Sequence, residues 1–454
     1  RSTPRKPAAA PEITNSSRSR ASTIRLEGRG ERDLREFARE IAMSVPLPAG
    51  RRPPRSLYLH IPFCHRRCFY CDFPVVPLGD QADGSRSQSI ADYLHWLLRD
   101  LAAAPAGPPL STVYIGGGTP SMLSPDQLAQ LLAAVRRHWG LAPGAELTLE
   151  MDPASFDRQR LEAVLALGIN RVSLGGQSFD NGVLKHPGRR HRANPLPEAC
   201  SWLRQAQQQA LLQSWSLDLI VNLPQQSFEA WDWELSQALA QAPPHLSIYD
   251  LIVEPGTVFA WRQGRGELPL PDDDQAADRL QHTHQRLQAA GHGHYEVSSR
   301  ALPGQASRHN RVYWSGASWW ALGLGATSGV GTERLARPRT RDAYSEWVQS
   351  HAGRQGDGPA AGWPPVEDLL LVGLRRREGV DLAWLQQTGL WGLERAWLER
   401  VLAGWIERGV VELSAQRLRL VAPEGFSLSN AVLSDLLAAL ERSEPLAPTG
   451  ARLG

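Results

Sequence analysis

The chain is sparing with cysteine: it has four in 454 residues, and three of them fall between positions 64 and 71. Three crowded thiols leave one over and the fourth, Cys200, is remote, so a disulfide framework is excluded. That usage fits a reducing compartment, and the cytoplasm is the expected location. No uninterrupted apolar run reaches the ~18 residues of a spanning helix, so no integral membrane segment is expected. Charge is nearly balanced, 49 Lys and Arg against 47 Asp and Glu, for a net +2. Nothing in the bulk electrostatics therefore asks for nucleic acid or an anionic membrane. Tryptophan, by contrast, is abundant at 16. Several (Trp96, Trp231, Trp233, Trp397) stand in helix-like stretches, where packing accounts for them, although a large flat apolar ligand also suits such rings.

The clustered cysteines form a C-x3-C-x2-C loop, Cys64-His65-Arg66-Arg67-Cys68-Phe69-Tyr70-Cys71, directly after a strand-like run from Ser56 to Ile61. Three thiolates in one short loop can hold three irons of a cubane. A four-iron cluster normally takes four cysteines, so one iron stays without a protein ligand. An open metal position signals chemistry or exchange rather than a closed structural site. A small molecule chelating through an amine and a carboxylate fits that corner. Zinc, with His60 or His65 as fourth ligand, stays open as the alternative, although the second distant ligand pair of structural zinc motifs is missing.

From Ser56 onward, strands and amphipathic helices alternate, the pattern of a parallel βα architecture. Strands are expected at Ser56–Ile61, Thr112–Ile115, Glu146–Met151, Arg171–Leu174, Leu217–Val221 and His245–Val253. Helices are expected at Ile90–Ala104, Pro125–Trp139, Asp157–Leu167, Pro197–Leu212, Phe228–Gln241 and Gln275–Ala290. Six βα units make a partial barrel of the α/β class, in which reactive groups gather at the C-terminal strand ends. Ahead of it, residues 1–54 are rich in Arg, Ser, Pro and Ala with Glu12 the lone acid before Glu27. They read as a mostly disordered extension or a transit peptide, with a short helix at Glu31–Met43. A Gly/Pro-rich linker runs from Arg354 to Pro365. Helices at Val366–Arg376, Leu382–Gln387 and Leu393–Arg408, strands at Val410–Leu413 and Arg417–Val421, and a last helix follow. No dense basic recognition helix appears among them, so a DNA-binding use is discounted.

The strand ends converge on one site. The second strand leads into Ile115-Gly116-Gly117-Gly118-Thr119-Pro120, whose glycines admit close backbone approach and whose N–H groups suit a carboxylate. The third ends at Glu150 and Asp152, and a carboxylate there can accept from ribose hydroxyls or an amine. The fourth carries Gln177, placing an amide over the same mouth. The fifth carries Asp218 among apolar neighbours, where an unpaired carboxylate is costly and a cationic or hydrogen-bonding partner is expected. Cys200, on a helix face between Ala199 and Ser201, reads as a packing residue.

The cysteine spacing and the string LYLHIPFC…C..CDF resemble the radical S-adenosylmethionine (SAM) superfamily. Within it they resemble the coproporphyrinogen III oxidase-like branch, and the HemW family of heme chaperones in particular. The resemblance implies a partial (βα)6 TIM-like radical SAM barrel over residues 55–300, a barrel-closing segment and linker over 301–365, and a small winged-helix-like domain over 366–454. It implies a [4Fe-4S] cluster on Cys64, Cys68 and Cys71. It further implies SAM contacts from Tyr58, Tyr70, Gly117, Gly118, Thr119, Glu150, Gln177, Arg189 and Asp218. The chain departs from the pattern at Phe73, where the branch's coproporphyrinogen dehydrogenases carry a further cysteine. Other departures are Pro187 for leucine before Gly188-Arg189-Arg190-His191, Asn222 for glycine, Gly176 for valine, and Ser299-Arg300 for Asn-Tyr.

His309-Asn310-Arg311-Val312-Tyr313-Trp314 matches the branch's HN-x-x-YW. His309 is thereby a candidate axial ligand to heme iron, with a structural role in closing the barrel as the other reading and His60 or His191 as substitutes. Two functions stand side by side. One is a heme chaperone with cluster, SAM and heme as cofactors, and with heme-accepting proteins, an electron donor and a second copy in a homodimer as partners. The other is an oxygen-independent coproporphyrinogen III dehydrogenase of porphyrin biosynthesis. Phe73 points away from dehydrogenase activity.

Overall fold

Strand β1 (Ser56–Ile61) is buried on both faces, with Leu57, Leu59 and Ile61 wholly inaccessible. That is how a barrel strand reads when helices cover its outer face and packed side chains fill the barrel on its inner face. The structure, a computed structural model, describes residues 53–79, 84–185, 188, 195–351, 364–387 and 395–442. The other expected strands are present as β2 (Leu110–Gly117), β3 (Leu141–Met151), β4 (Arg171–Gln177), β5 (Ser214–Val221) and β6 (His245–Asp250). They lie parallel in chain order, with Tyr58 opposite Tyr114, Leu149 opposite Val172 and Asp218 opposite Ser247. Short strands β7 (Gly293–His294) and β8 (Ser299–Ala301) extend one edge antiparallel, and β9 (Trp320–Leu322) adds a parallel strand beside β1. The nine-stranded order is β9-β1-β2-β3-β4-β5-β6-β8-β7, an α/β partial barrel.

The covering helices start where side-chain oxygens can accept the first free N–H groups. They are α1 (Gln88–Ala103), α2 (Pro125–His138), α3 (Arg158–Ala166), α4 (Pro195–Gln208), α5 (Phe228–Ala240) and α6 (Asp273–Ala289). Ser87, Asp157, Ser227 and Asp272 cap α1, α3, α5 and α6. Ser124 and Gln127 form a reciprocal capping box on α2, the arrangement that satisfies two orphan donors at once. Trp231 on α5 is fully buried and donates to Thr283 at 2.8 Å, whereas Trp233 is exposed.

A further helix, α7 (Arg308–Trp314), is held at the N-terminal side of the barrel. The Glu146 carboxylate on β3 accepts the N–H groups of Arg308 at 3.0 Å and His309 at 2.9 Å. Beyond it, Val380–Asp381, Arg417–Leu420 and Val411–Leu413 form a separate three-stranded antiparallel sheet with its own core, including Leu370, Leu385, Leu402 and Leu436. The two-residue strand Val380–Asp381 is too short to carry a sequence signal. The helix expected through Arg408 is broken at Leu402 into Arg395–Val401 and Ala403–Glu407, just ahead of Gly404, a weak helix former. This sheet joins the barrel through backbone bonds from Val297 to Arg375 and Arg377 to Tyr295, and through the Arg311–Glu378 ion pair. The expected helix at Glu31–Met43 and the N-terminal extension fall outside the described residues, as do Pro187, Arg189 and His191.

Candidate radical SAM site

The cysteine loop leaves β1 at Pro62 and is pinched at its base. Phe63–Cys64 pairs with Val76–Pro77, with Val76 N–H donating to Pro62 at 2.7 Å and Leu78 N–H to Cys64 at 2.8 Å. A turn from Cys71 N–H to the Cys68 carbonyl, 3.2 Å, brings the last two thiols to one side. Outside, Phe259 N–H donates to Phe69 at 3.0 Å, Arg262 lies over the Phe69 ring, and Arg67 and Arg339 donate to the Phe73 and Asp72 carbonyls. The loop is thus tied down on both flanks.

None of the three cysteines is in a disulfide, and all three are partly exposed on the wall of one cavity of about 410 Å³. Gly117, Gly118, Thr119, Glu150, Gln177, Asp218 and Tyr70 line the same cavity. Among the described residues, no three His, Cys, Asp or Glu side chains close on a single ion. A cubane asks for no such convergence, because its sulfur ligands go to different irons.

The glycines work by proximity. A Cβ on Gly118 would stand 2.6 Å from the Phe63 carbonyl and 2.8 Å from Cys64 Sγ. One on Gly117, at φ +124, would strike the His60 ring at 2.7 Å. Their N–H groups are not free for a ligand carboxylate, contrary to the expectation from the motif. Gly117 donates to Glu150 Oε2 at 2.9 Å and Gly118 to the Ile61 carbonyl at 2.8 Å. The turn packs β2 against the cysteine loop and spends its donors on β3 and the end of β1. Thr119 Oγ1 reaches Cys64 Sγ at 3.6 Å.

The carboxylates are held in unequal surroundings. Glu150 also accepts from Tyr114 OH at 2.8 Å, yet burial outweighs both bonds and pushes it up to about 7. Asp218 is raised by burial as well, with serine hydroxyls partly offsetting; Ser173 donates to Oδ2 at 2.6 Å, while the buried Oδ1 has no partner. The partner expected for Asp218 is therefore hydroxyl rather than cation among the described residues. Gln177 sits at φ +57 on a register shift between Gly175 and Gln177. Such a bulge re-aims a side chain, and the Gln177 Oε1 is buried without a partner. Unpartnered acceptors on residues that line a cavity fit a ligand bearing hydroxyl and ammonium groups.

Two expected residues are not brought to the cavity wall. Tyr58 lies within the barrel, its hydroxyl 3.0 Å from His60 Nδ1 and its ring stacked near Tyr114. His309 corrects the axial-ligand reading. It is fully buried, with Nδ1 2.7 Å from Thr112 Oγ1, Nε2 2.8 Å from Tyr313 OH, and its ring against Tyr114. Burial pushes it down to about 3, and neither nitrogen is available to iron. His60 is spoken for likewise, between Tyr58 and the Pro74 carbonyl, and burial pushes it down to about 4. The cavity also takes in Tyr249, Asp250, Leu251 and Ile252, which were not expected in it. The strand-end rule applied to β6 would have found them, since that strand stops at Asp250 rather than Val253.

The Radical SAM superfamily model matches residues 58–233. The heme chaperone HemW of Synechocystis is 38% identical over 411 residues, which cover 86% of this chain and 97% of the relative. The chain belongs to the HemW family. The HemW of Mycobacterium tuberculosis is 36% identical over 89% of this chain and 99% of the relative. The mouse mitochondrial radical S-adenosyl methionine domain-containing protein 1 is 33% identical over 88% and 90%. Among solved structures, coproporphyrinogen III oxidase (HemN) from Escherichia coli superposes with a TM-score of 0.69 at 23% identity, covering 87% of this chain and 92% of that one. That match speaks to the fold, a TIM-like barrel shared with HemW.

Two departures from the HemW pattern have local reasons. Asn222 replaces glycine at φ +65, a region that asparagine tolerates better than most residues. It donates to Asp250 at 2.7 Å and accepts from Arg279 at 3.1 Å. Gly176 replaces valine because Leu217 and Leu196 already fill the space, 2.9 and 3.0 Å from where its Cβ would be.

Proposed function

We propose that the protein is a heme chaperone. In this reading it binds a [4Fe-4S] cluster through Cys64, Cys68 and Cys71, binds SAM and heme, and passes heme to acceptor proteins in the reducing interior of the cell, with an electron donor serving the cluster. One observation carries the reading: three cysteines share a cavity wall with strand-end acceptors, while Cys200 is buried on α4. The name borne by its HemW relatives supports the heme part.

When bound, cluster and SAM would supply one-electron reductive cleavage of a sulfonium. The chain's own residues bind and orient. Burial raises the Cys71 thiol, so its proton leaves as metal binds rather than before. Glu150, Asp218 Oδ1 and Gln177 Oε1 are placed to accept from hydroxyl and ammonium groups, with Arg189 added by resemblance. Met151 and Ile220 on the cavity wall exclude water.

The test is paired. Heme added to the anaerobically reconstituted protein should change the Soret band at one equivalent and then pass to an apo-heme protein; no change removes the chaperone reading. Conversion of coproporphyrinogen III under reducing conditions would favour a dehydrogenase instead, against which Phe73 stands.

A further inference from the structure

The cavity has two layers of different chemistry. Its floor is polar, built from Glu150, Ser173, Gln177 and Asp218. Its rim carries apolar side chains, with Phe73 51% exposed, Tyr249 44% and Ile252 66%, alongside Val75 and Leu251, next to the exposed charges of Arg66, Arg67 and Asp250. Ten large hydrophobic side chains are exposed among the described residues, and three of them stand on this rim. Such concentration marks a contact surface rather than scatter. An interior of about 410 Å³ suits one small ligand. A macrocycle therefore has to seat across the rim.

His65 stands on the same wall, between Cys64 and Cys68. Its ring is clasped by Gly79: Nδ1 lies 3.1 Å from the Gly79 carbonyl, and Gly79 N–H donates to the His65 carbonyl at 3.1 Å. A carbonyl only accepts, so Nδ1 carries a proton in this bond, and in the neutral ring Nε2 presents a lone pair. Nε2 has no partner among the described residues. An imidazole whose second nitrogen is tied to a backbone carbonyl is the arrangement that orients histidine ligands toward metals. His60 and His309, by contrast, have both nitrogens engaged.

We propose that His65 Nε2 is an axial ligand to heme iron, with the macrocycle lying over the apolar rim of Phe73, Leu251 and Ile252. This rests on the heme-chaperone reading. Histidine is a common proximal ligand to heme iron, and the rim supplies apolar contact for the ring while the floor stays available to SAM.

The experiment is a ferric heme titration of the anaerobically reconstituted full chain, followed by difference absorption, EPR and magnetic circular dichroism, with iron per chain measured in parallel. Wild type should show a nitrogen-ligated heme. His65→Ala should weaken heme binding at least about tenfold and lose the nitrogen-ligand signature, which added imidazole restores. His65→Met should keep the heme and change its spectrum to sulfur ligation, which decides the matter if His65→Ala loads iron poorly. Ile252→Asp should weaken binding and leave the axial signature intact. An unchanged affinity and spectrum in both His65 variants overturns the assignment, as does a changed cluster EPR signal with an unchanged heme. Absence of heme binding in wild type instead removes the chaperone reading itself.

Discussion

Glu150 should make SAM binding depend on pH with a defined sign. In the free protein, burial raises it from 4.5 to about 7 despite bonds from Tyr114 and Gly117. An ammonium or hydroxyl group arriving at this carboxylate favours its charged form and returns it toward the ordinary value. Binding below pH 7 must then expel a proton. Affinity should fall about tenfold per pH unit below about 7 and be flat above it. The same shift acts oppositely on the stability of the ligand-free fold. A raised carboxylate binds protons more tightly folded than unfolded, so its cost sets in as pH climbs past 4.5 and is complete above about 7. At about 1.4 kcal/mol per unit that cost is on the order of 3 kcal/mol. Glu150→Gln removes it but leaves one of two buried donors without an acceptor, at ~1–3 kcal/mol. The two effects nearly cancel in Tm, so the slope of SAM affinity between pH 5.5 and 8, read by calorimetry in buffers of different ionisation enthalpy, is the better measure. Asp218 is raised too, and Glu150→Gln separates the two. A flat profile in wild type, or an undiminished slope in Glu150→Gln, would refute the reasoning.

Gly118→Ala forces a methyl onto Cys64 Sγ and the Phe63 carbonyl; overpacking of this kind costs ~1–3 kcal/mol, and cluster loading, measured as iron per chain, should drop well below wild type. Cys68→Ser should lose most of its iron, and a full brown cluster in that variant would mean the ligands are misassigned. His309→Ala should lower stability by about 3 kcal/mol, since it opens a cavity and strands Thr112 and Tyr313, while heme affinity in the folded fraction stays as in wild type; denaturant unfolding and heme titration check the two halves.

The parts of this molecule that were legible in its residues are those set by local chemistry. The cysteine spacing is confined to one loop, and the six short β-rich runs alternate with amphipathic helices in the order of βα units. Glu150 and Asp218 followed from the rule that groups at strand ends face one mouth. What escaped depends on neighbours remote in the chain. The Gly117 N–H points to Glu150 rather than to a ligand because β2 and β3 run side by side. His309 sits deep because Glu146 captures the start of α7. The three residues of β9 gain their place by pairing with β1 and by bonds between Ala321 and Ser328. The apolar rim needed the true end of β6, three residues short of the expected one.

The most direct test of the central claim is Mössbauer spectroscopy on oxygen-protected, iron-57-reconstituted protein, with and without SAM. The expected spectrum is that of a four-iron cluster in which one iron differs from the other three and shifts when SAM is added. Protein that holds zinc in place of iron, or four irons that SAM leaves unchanged, would contradict it.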